Sequence, residues 1–156
     1  MVDKTAVSGA TGLRLTSETW REDASGRRRT RAFWSGPAVP EVVGEMRHAV
    51  ATVAAAGGVS ETRLDDVRAC VSEGVTNAIM HAFGDDRSAG TIAVSAEFTG
   101  EALTVVVSDD GRGLLPRDDS PGMGVGMELI RAFSDAMTIG TGPGGGTRVS
   151  IVFDLG

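Results

Sequence analysis

One long amphipathic helix constrains the fold of this chain more than any other feature. Ser60 is a reasonable N-cap and Glu61 lies in the first predicted turn, where an acidic side chain is favourable. Apolar residues then recur at helical spacing: Leu64, Val67, Val71, Val75, Ala78 and Ala82. Glu73 and Asn77 fall at roughly 180° and roughly 220° from the start of that stripe on a helical wheel, so they lie on the opposite side.

The side of the helix that carries Glu73 and Asn77 also holds Cys70, Met80 and His81. An ordinary solvent-exposed side would carry several charged residues instead. We therefore predict that this side is partly covered and faces a cavity. The spacing of four places the carboxylate and the amide one turn apart, where both can reach a metal-bound phosphate.

The remaining sequence predicts one domain behind a flexible tail. Residues 1–28 are rich in Ser, Thr, Gly and Arg, with a brief alternation at Leu13 and Leu15, so we predict a flexible N-terminal tail and a domain over 29–156. Patterns in that domain predict a strand at 30–35, a helix at 42–53, the long helix, a hairpin at 92–98 and 103–107, a helix at 125–134 that buries Met127, Ile130 and Phe133, and strands at 137–140 and 147–154. This order describes an α+β fold, a two-layer sandwich with helices on one face of a mixed, largely antiparallel sheet.

Composition excludes several classes of function. The chain has 156 residues, a net charge of −6 and a pI near 4.9, and such an acidic single domain lacks the basic surface that nucleic-acid binding requires. Cys70 is the single cysteine, which rules out an internal disulfide and fits a reducing compartment. The sequence shows no apolar run near the ~18 residues that cross a bilayer and no signal peptide. We expect a cytoplasmic protein without nucleic-acid or membrane partners.

Three glycine clusters favour a ligand site of a particular kind. The second predicted hairpin strand runs directly into Asp109-Asp110-Gly111-Arg112-Gly113, where a buried carboxylate could accept a hydrogen bond from an adenine amino group and glycines allow close backbone approach. No Gly-Lys-Ser/Thr ending is present, which excludes a P-loop, and the spacing GxGxG at 122–126 lacks the third glycine of the dinucleotide fingerprint. Gly124 and Gly126 nevertheless stand at a predicted helix start, where free N–H groups attract phosphate.

Taken together, these blocks resemble the nucleotide-binding boxes of the gyrase, histidine kinase and MutL type of ATPase (the GHKL or HATPase superfamily). The helix box resembles 73–77, the DxGxG box 109–113, the lid glycines 122–126 and the last box Gly146-Thr147. The continuation Asn-Ala-Ile-Met-His-Ala-Phe after Gly74, the short lid and the lack of a phosphoacceptor-histidine helix are most similar to the anti-sigma factor serine kinases, which control bacterial stress and sporulation sigma factors. The resemblance implies a Bergerat-type ATP-binding fold over residues of about 30 to 156.

The resemblance also implies roles for single residues. Asn77 would coordinate Mg²⁺, Asp109 would bind the adenine amino group of ATP or ADP, and Glu73 would be the general base for an attacking serine hydroxyl or water. The expected nucleotide-binding set is Asn77, His81, Asp109, Gly111, Gly113, Gly122, Gly124, Val125, Gly126 and Thr147. Asp110 is an equally acidic neighbour, but the spacing favours Asp109, which stands first in the DxGxG box. For His81 a structural role stays open.

Partners and catalytic competence follow from the same resemblance. Arg47 matches an arginine with which anti-sigma kinases hold their protein partner, so we expect a sigma factor or similar client and an antagonist (anti-anti-sigma) protein that is phosphorylated on serine. Those kinases carry a lid arginine where this chain has Gly122, and Arg117 lies farther back in the lid. The alternatives are therefore a nucleotide-gated binding module with little catalysis, or a detached sensor-kinase ATPase half acting on histidine. An exposed edge strand near 30–35 could pair two chains into a homodimer.

Overall fold

The sheet and its helices are defined by the described part of the chain. The computed structural model describes residues 5–8, 14–20, 24, 26, 29–82, 90–111 and 123–156. The strands in these ranges are β1 (Thr5–Ser8), β2 (Arg14–Trp20), β3 (Arg29–Pro37), β4 (Thr91–Phe98), β5 (Ala102–Asp109), β6 (Ala136–Thr141) and β7 (Thr147–Asp154). The helices are α1 (Glu41–Ala56), α2 (Glu61–Ala82) and α3 (Met123–Phe133), and a short 3₁₀ turn spans Pro143–Gly145.

The seven strands form one sheet in the order β1-β2-β3-β4-β5-β7-β6. Every pairing between these strands is antiparallel. We expected a mixed, largely antiparallel sheet, and the described strands contain no parallel pair. Alternate residues of β4 and β5 are buried on the side where the helices pack, and their neighbours stay half-exposed. The prediction of an α+β, two-layer sandwich is confirmed.

The core lies between the sheet and the three helices. Its largest fully buried side chains come from every layer: Trp34, Met46, Leu64, Ile92, Leu103, Ile130, Ile151 and Phe153. Each apolar stripe predicted from the sequence contributes to this core, because the strands bury alternate residues and the helices bury every third or fourth. Phe133 is the exception, since it is 44% exposed at the last residue of α3, where the chain turns toward β6.

An N-cap residue and a tight turn fix the start of α2 and the hairpin between β4 and β5. The Oγ atom of Ser60 accepts a hydrogen bond from Arg63 N at 3.4 Å, which caps the start of α2 as predicted. Gly100 has a φ of +85° and lies between Thr99 and Ala102, which close the turn with a 3.0 Å backbone hydrogen bond. A positive φ at the first central position favours glycine and matches the twist of a tight hairpin, here between β4 and β5.

The N-terminal strands change two expectations. Residues 5–8 and 14–20, which we expected in a flexible tail, form β1 and β2, and β2 pairs with β3 along its whole length. Few apolar residues alternate in this segment, so its backbone pairing left little signal in the sequence. Because β3 pairs with β2 on one side and β4 on the other, residues 30–35 are not an edge of the described sheet, so the edge predicted there is wrong. A homodimer formed through another surface stays a prediction. The described helices include none that is both long and apolar enough to cross a membrane.

Candidate functional site

Helix α3 covers the side of α2 that carries Glu73 and Asn77. A methyl group built on Gly126 would lie 3.0 Å from Glu73 Oε2 and 2.7 Å from Asn77 Nδ2, so the first turns of α3 sit directly over both side chains. One turn earlier on α2, the Cys70 Sγ atom contacts the carbonyl oxygen of Ile130 at 3.9 Å. The predicted cover over this polar side is confirmed, and α3 provides it.

Cover on this side of α2 ends near Met80. Met80 is 52% exposed, so the cover over this side is partial and Met80 lies outside it. Gly126 stands beside Asn77, about one turn before Met80, and the wheel carries no information on where a covering helix begins. Cys70 is fully buried, and burial raises the pKa of its thiol to about 12. That thiol is therefore a packing group, held protonated at neutral pH.

Asn77 and Asp109 are the two buried polar side chains in the described part of the chain. Asn77 is 9% exposed, and its Nδ2 atom has no hydrogen-bond partner among the described residues. A buried amide without a partner costs free energy, of the order of 1–3 kcal/mol, unless a ligand or water satisfies it. The position of Asn77 therefore indicates a site for a polar ligand.

The Asp109 carboxylate is fixed by two backbone N–H groups. Gly111 N donates to Asp109 Oδ1 at 2.9 Å, and Thr147 N donates to the same oxygen at 3.3 Å. Both hydrogen bonds that described residues make to this carboxylate end on Oδ1, which leaves Oδ2 for a ligand's N–H group. Burial raises the pKa of Asp109 above its ordinary value, the two backbone bonds oppose that rise, and the charge of Asp110 adds a smaller increase.

Glycines bring the parts of this site into contact. A side chain on Gly146 would overlap the Asp109 carbonyl group, with its carbon 2.6 Å away, so only glycine lets the start of β7 approach Asp109 this closely. A methyl group on Gly111 would lie 2.6 Å from Ala82 Cβ, at the last residue of α2. The sequence suggested that Gly111 admits a ligand, and the contact with Ala82 is a second reason for glycine at this position.

Helix α2 and strand β5 run side by side through the site. A methyl group on Gly74 would lie 3.2 Å from Val107 Cγ2, two positions before Asp109, and Gly111 meets Ala82 two positions after it. Asn77 lies between Gly74 and Ala82 on α2, so it runs alongside Asp109 on β5. The structure therefore places Asn77 and Asp109, thirty-two positions apart in the sequence, on two elements that run side by side.

Sequence reasoning missed Gly74 and Ala82, which set this close approach. The available signal was a pair of small residues on the sheet-facing side of α2, at positions where a larger side chain would be the norm. Sequence reasoning favoured Asp109 over Asp110 from the DxGxG spacing alone, and the structure gives the two side chains different surroundings. Asp110 is exposed, and its Oδ1 atom accepts a hydrogen bond from Thr91 N at 2.9 Å, whereas Asp109 is 7% exposed.

Other predicted site residues are less closely placed or lie outside the described ranges. His81 is half-buried and forms no hydrogen bond or ion pair with a described residue, so its role stays a prediction. Arg47 is exposed on α1 and donates to Ser72 Oγ of α2 at 3.2 Å. Gly124 and Val125 belong to the first turn of α3, and nothing further is described of their side chains. Gly113, Arg117 and Gly122 lie outside the described residues.

The donors at this site suit Mg²⁺ that arrives with a nucleotide. The described residues contain no group of three or more His, Cys, Asp or Glu side chains that could hold a metal ion. Asn77 offers an amide oxygen, and Mg²⁺ prefers oxygen ligands and commonly keeps several waters and substrate phosphates. The residues present therefore fit a metal held largely by phosphate oxygens and fit poorly to a transition-metal site.

A buried carboxylate at the end of a central strand, a Glu and an Asn on the neighbouring helix, and a glycine-rich helix start above them define a class of ATPase domain. Residues 36–153 match the family model described as a histidine kinase-like ATPase domain, and the chain belongs to that family. The resemblance seen in the sequence is thereby confirmed.

Individual relatives narrow the comparison. The chain is 30% identical over 116 residues to an anti-sigma F factor of Clostridium beijerinckii, covering 67% of this chain and 80% of that protein. It is 36% identical over 75 residues to the serine-protein kinase RsbW of Bacillus licheniformis, covering 48% of this chain and 47% of that protein. Its fold is similar to the crystal structure of RsbU and RsbW domains from a Mycobacterium tuberculosis protein, with a TM-score of 0.59, 24% identity, and coverage of 76% of this chain and 30% of that one.

Proposed function

We propose that this chain is an ATP- and Mg²⁺-dependent serine kinase of the anti-sigma factor type. In this role it holds a sigma factor or similar client and phosphorylates an antagonist protein on serine. One observation carries the proposal: the buried Asp109 carboxylate, held by Gly111 and Thr147, lies alongside a helix whose Glu73 and Asn77 are covered by α3. The relatives named anti-sigma F factor and serine-protein kinase support the choice of activity.

Each side of the site recognises a different part of the nucleotide. Asp109 Oδ2 accepts a hydrogen bond from the adenine amino group, while Gly111 and Thr147 hold that carboxylate in place. Asn77 would hold Mg²⁺ through its amide oxygen, and the N–H groups at the start of α3 would bind the phosphates. Mg²⁺, when held there, would supply positive charge against the phosphate oxygens.

Glu73 acts on the protein substrate. Its carboxylate accepts the proton of the attacking serine hydroxyl as the bond between serine Oγ and the γ-phosphorus forms. The bond between that phosphorus and the bridging oxygen of ADP breaks, so phosphate moves to serine and ADP leaves. Glu73 is half-buried beside Gly126, on the side of α2 that faces the start of α3.

Calorimetry tests the nucleotide pocket. We expect ATP and ADP to bind the wild type with Mg²⁺ present, and Asp109→Ala to weaken both by about ten- to a hundredfold because a charged hydrogen-bond acceptor is lost. Asp65→Ala is the matched control, since Asp65 is an exposed carboxylate on α2 that pairs with Arg68 on the same helix. Equal affinity in the wild type and Asp109→Ala would refute the adenine assignment.

Phosphotransfer from labelled ATP tests the catalytic role. Proteins that co-purify with the chain or are encoded beside its gene are the substrates to screen, and phosphate on serine is the expected product. Glu73→Gln should remove most of that transfer while ADP affinity stays close to wild type, because general-base catalysis contributes about 10²–10⁴-fold. Glu61→Gln makes the same chemical change on the exposed first turn of α2 and should have no effect. Full activity in Glu73→Gln would exclude it as the base.

Arg47 is the proposed contact for the client. Arg47→Ala should weaken client binding without changing ADP affinity, and Arg31→Ala, which removes an exposed arginine from β3, should change neither. Loss of ADP affinity in Arg47→Ala would instead point to damage in the fold.

A nucleotide-gated binding module is the second candidate. Gly122 stands where anti-sigma kinases are expected to carry a lid arginine, and an arginine at the transferred phosphate contributes about 10³–10⁵ in rate in related chemistry. Nucleotide-dependent client binding without phosphate on serine would favour this candidate. Phosphate on histidine would favour the sensor-kinase reading instead.

A further inference from the structure

Asp110 joins two strands at the edge of the site. Its Oδ1 atom accepts a hydrogen bond from the backbone N–H group of Thr91 at 2.9 Å. Thr91 is the first residue of β4, and the register pairs Ile92 with Asp109, so this bond extends the β4–β5 pairing by one more link. A carboxylate that accepts from an N–H group makes a charge-assisted bond, which is stronger than a neutral one.

Gly111, the residue after Asp110, contacts the end of α2. Gly111 packs against Ala82, the last residue of α2, so closely that a methyl group would lie 2.6 Å from Ala82 Cβ. Residues 109–111 therefore contact both the end of α2 and the start of β4, which are the two points joined by the chain between Ala82 and Gly90. The position of Asp109 is fixed by contacts that neighbouring residues make.

We propose that Asp110 is a positioning residue for recognition of the adenine base. It holds the turn of residues 109–111 against β4, so that Gly111 N stays within hydrogen-bond distance of Asp109 Oδ1 and Asp109 Oδ2 stays directed at the ligand. The inference rests on the proposed ATP-binding function and goes beyond it by giving a role to the acidic neighbour of the base-binding residue.

Loss of this bond has a defined consequence. Without the Asp110 carboxylate, water can satisfy the exposed Thr91 N–H group, so the fold is retained. The turn then gains conformations in which Gly111 N no longer donates to Asp109, and the base is bound by a less well oriented carboxylate. Affinity falls most for nucleotides that carry the adenine amino group, because the hydrogen bond from that group depends on the orientation of Asp109 Oδ2.

Two variants at this position separate the hydrogen bond from the charge. Asp110→Ala removes both, whereas Asp110→Asn keeps an oxygen that can accept from Thr91 N and removes only the charge. Asp65→Ala removes an exposed carboxylate of α2 and serves as the control for net charge. Thermal unfolding of each variant without ligand checks that the fold is kept.

The experiment compares ADP with inosine diphosphate, which carries a carbonyl oxygen where adenine has the amino group. We expect Asp110→Ala to lose about threefold to tenfold in ADP affinity and to show a smaller preference for ADP over inosine diphosphate. Asp110→Asn should recover most of both, and Asp65→Ala should match the wild type.

Three results would overturn the proposal. The first is an Asp110→Ala variant with wild-type affinity and preference, and the second is an equal loss in Asp110→Ala and Asp110→Asn, which would assign the effect to charge. The third is a fall in affinity with an unchanged preference between the two nucleotides. A wild type that binds neither nucleotide would refute the proposed function itself, and this outcome is distinct from all three.

Discussion

Gly126 of α3 packs against Asn77 of α2 without space for a side chain between them. A methyl group on Gly126 would lie 2.7 Å from Asn77 Nδ2 and 3.2 Å from Asn77 Oδ1. The amide therefore faces backbone on the side where α3 begins. This contact places the helix start over the two polar groups of α2, and it leaves no room for a Cβ atom at position 126 unless Asn77 or Glu73 shifts.

Gly126→Ala should keep the fold and impair nucleotide binding. Alanine gains about 1 kcal/mol over glycine inside a helix, but a contact this short forces Asn77 or α3 to move, at a cost of about 1–3 kcal/mol. We expect no net gain in unfolding free energy and a loss of ADP affinity of about tenfold or more. Urea unfolding and calorimetry measure the two quantities.

Gly140→Ala is the control for Gly126→Ala. A methyl group on Gly140 in β6 meets no heavy atom within 4 Å, so stability and ADP affinity should stay near wild type. A Gly126→Ala variant that gains the full helical stabilisation and binds ADP normally would show that the contact with Asn77 yields easily.

Gly146→Ala should be more damaging, because its side chain would overlap the Asp109 carbonyl group. The φ of Gly146 is −73°, which alanine adopts readily, so any loss comes from the overlap alone. We expect a destabilisation of about 1–3 kcal/mol together with weakened ADP binding. Gly142→Ala, at a φ of −81° with its nearest contact at 3.4 Å, should be tolerated, and similar losses in both variants would contradict this account.

Asp109→Asn should separate stability from function. Asparagine keeps an oxygen for Gly111 N and Thr147 N but removes the buried charge, so the ligand-free protein should be at least as stable as wild type at pH 7. ADP affinity should fall by about ten- to a hundredfold, because the group facing the adenine amino group becomes a donor. Thermal unfolding and calorimetry on both proteins test the two statements.

The pH dependence of that comparison has a defined sign. Because burial raises the pKa of Asp109, the folded state binds this proton more tightly than the unfolded state. Stability from Asp109 therefore increases as the pH falls from the folded pKa toward the unfolded one. Any stability advantage of Asp109→Asn should shrink over the same range, and an advantage that grows toward acid pH would contradict the raised pKa.

Arg63→Met should lower the free energy of unfolding, because Arg63 joins the start of α2 to residues near the end of α3. Arg63 forms an ion pair with Asp135, donates to Asp66 at 3.1 Å and lies 5.4 Å from the centre of the Phe153 ring. These contacts join α2, β7 and the chain between α3 and β6, so we expect a loss of about 1–3 kcal/mol in urea unfolding. Arg68→Met removes a more exposed ion pair within α2 and should change stability by less than about 0.5 kcal/mol.

Sequence periodicity predicted most of the domain because its core positions repeat regularly. The apolar stripe of α2 and the alternation in β4 and β5 gave both the elements and their buried faces, and the lack of charge around Glu73 and Asn77 predicted the cover. The wheel could not show that α3 provides this cover or that Met80 stays outside it. Those facts depend on tertiary contacts between residues far apart in the chain.

The outer strands and the glycines were harder to predict, for different physical reasons. Strand β2 is joined to β3 by backbone hydrogen bonds, which any residue can make, so its polar sequence resembled a tail. Gly74, Gly111 and Gly146 are needed because backbones meet closely there, and such contacts are invisible before the fold is known. The DxGxG spacing favoured Asp109 over Asp110, but it carried no information on which of the two side chains is buried.

Helix α2 contributes to the core on one side and to the candidate site on the other. The angular offset between the two sides is set by residue count, at about 100° per residue. Inserting or deleting a single residue between Leu64 and Glu73 would turn the site out of phase with the core, so that packing and chemistry could not both be kept. A substitution can alter either side of the helix alone, whereas an insertion or a deletion in this segment changes the angle between the two sides.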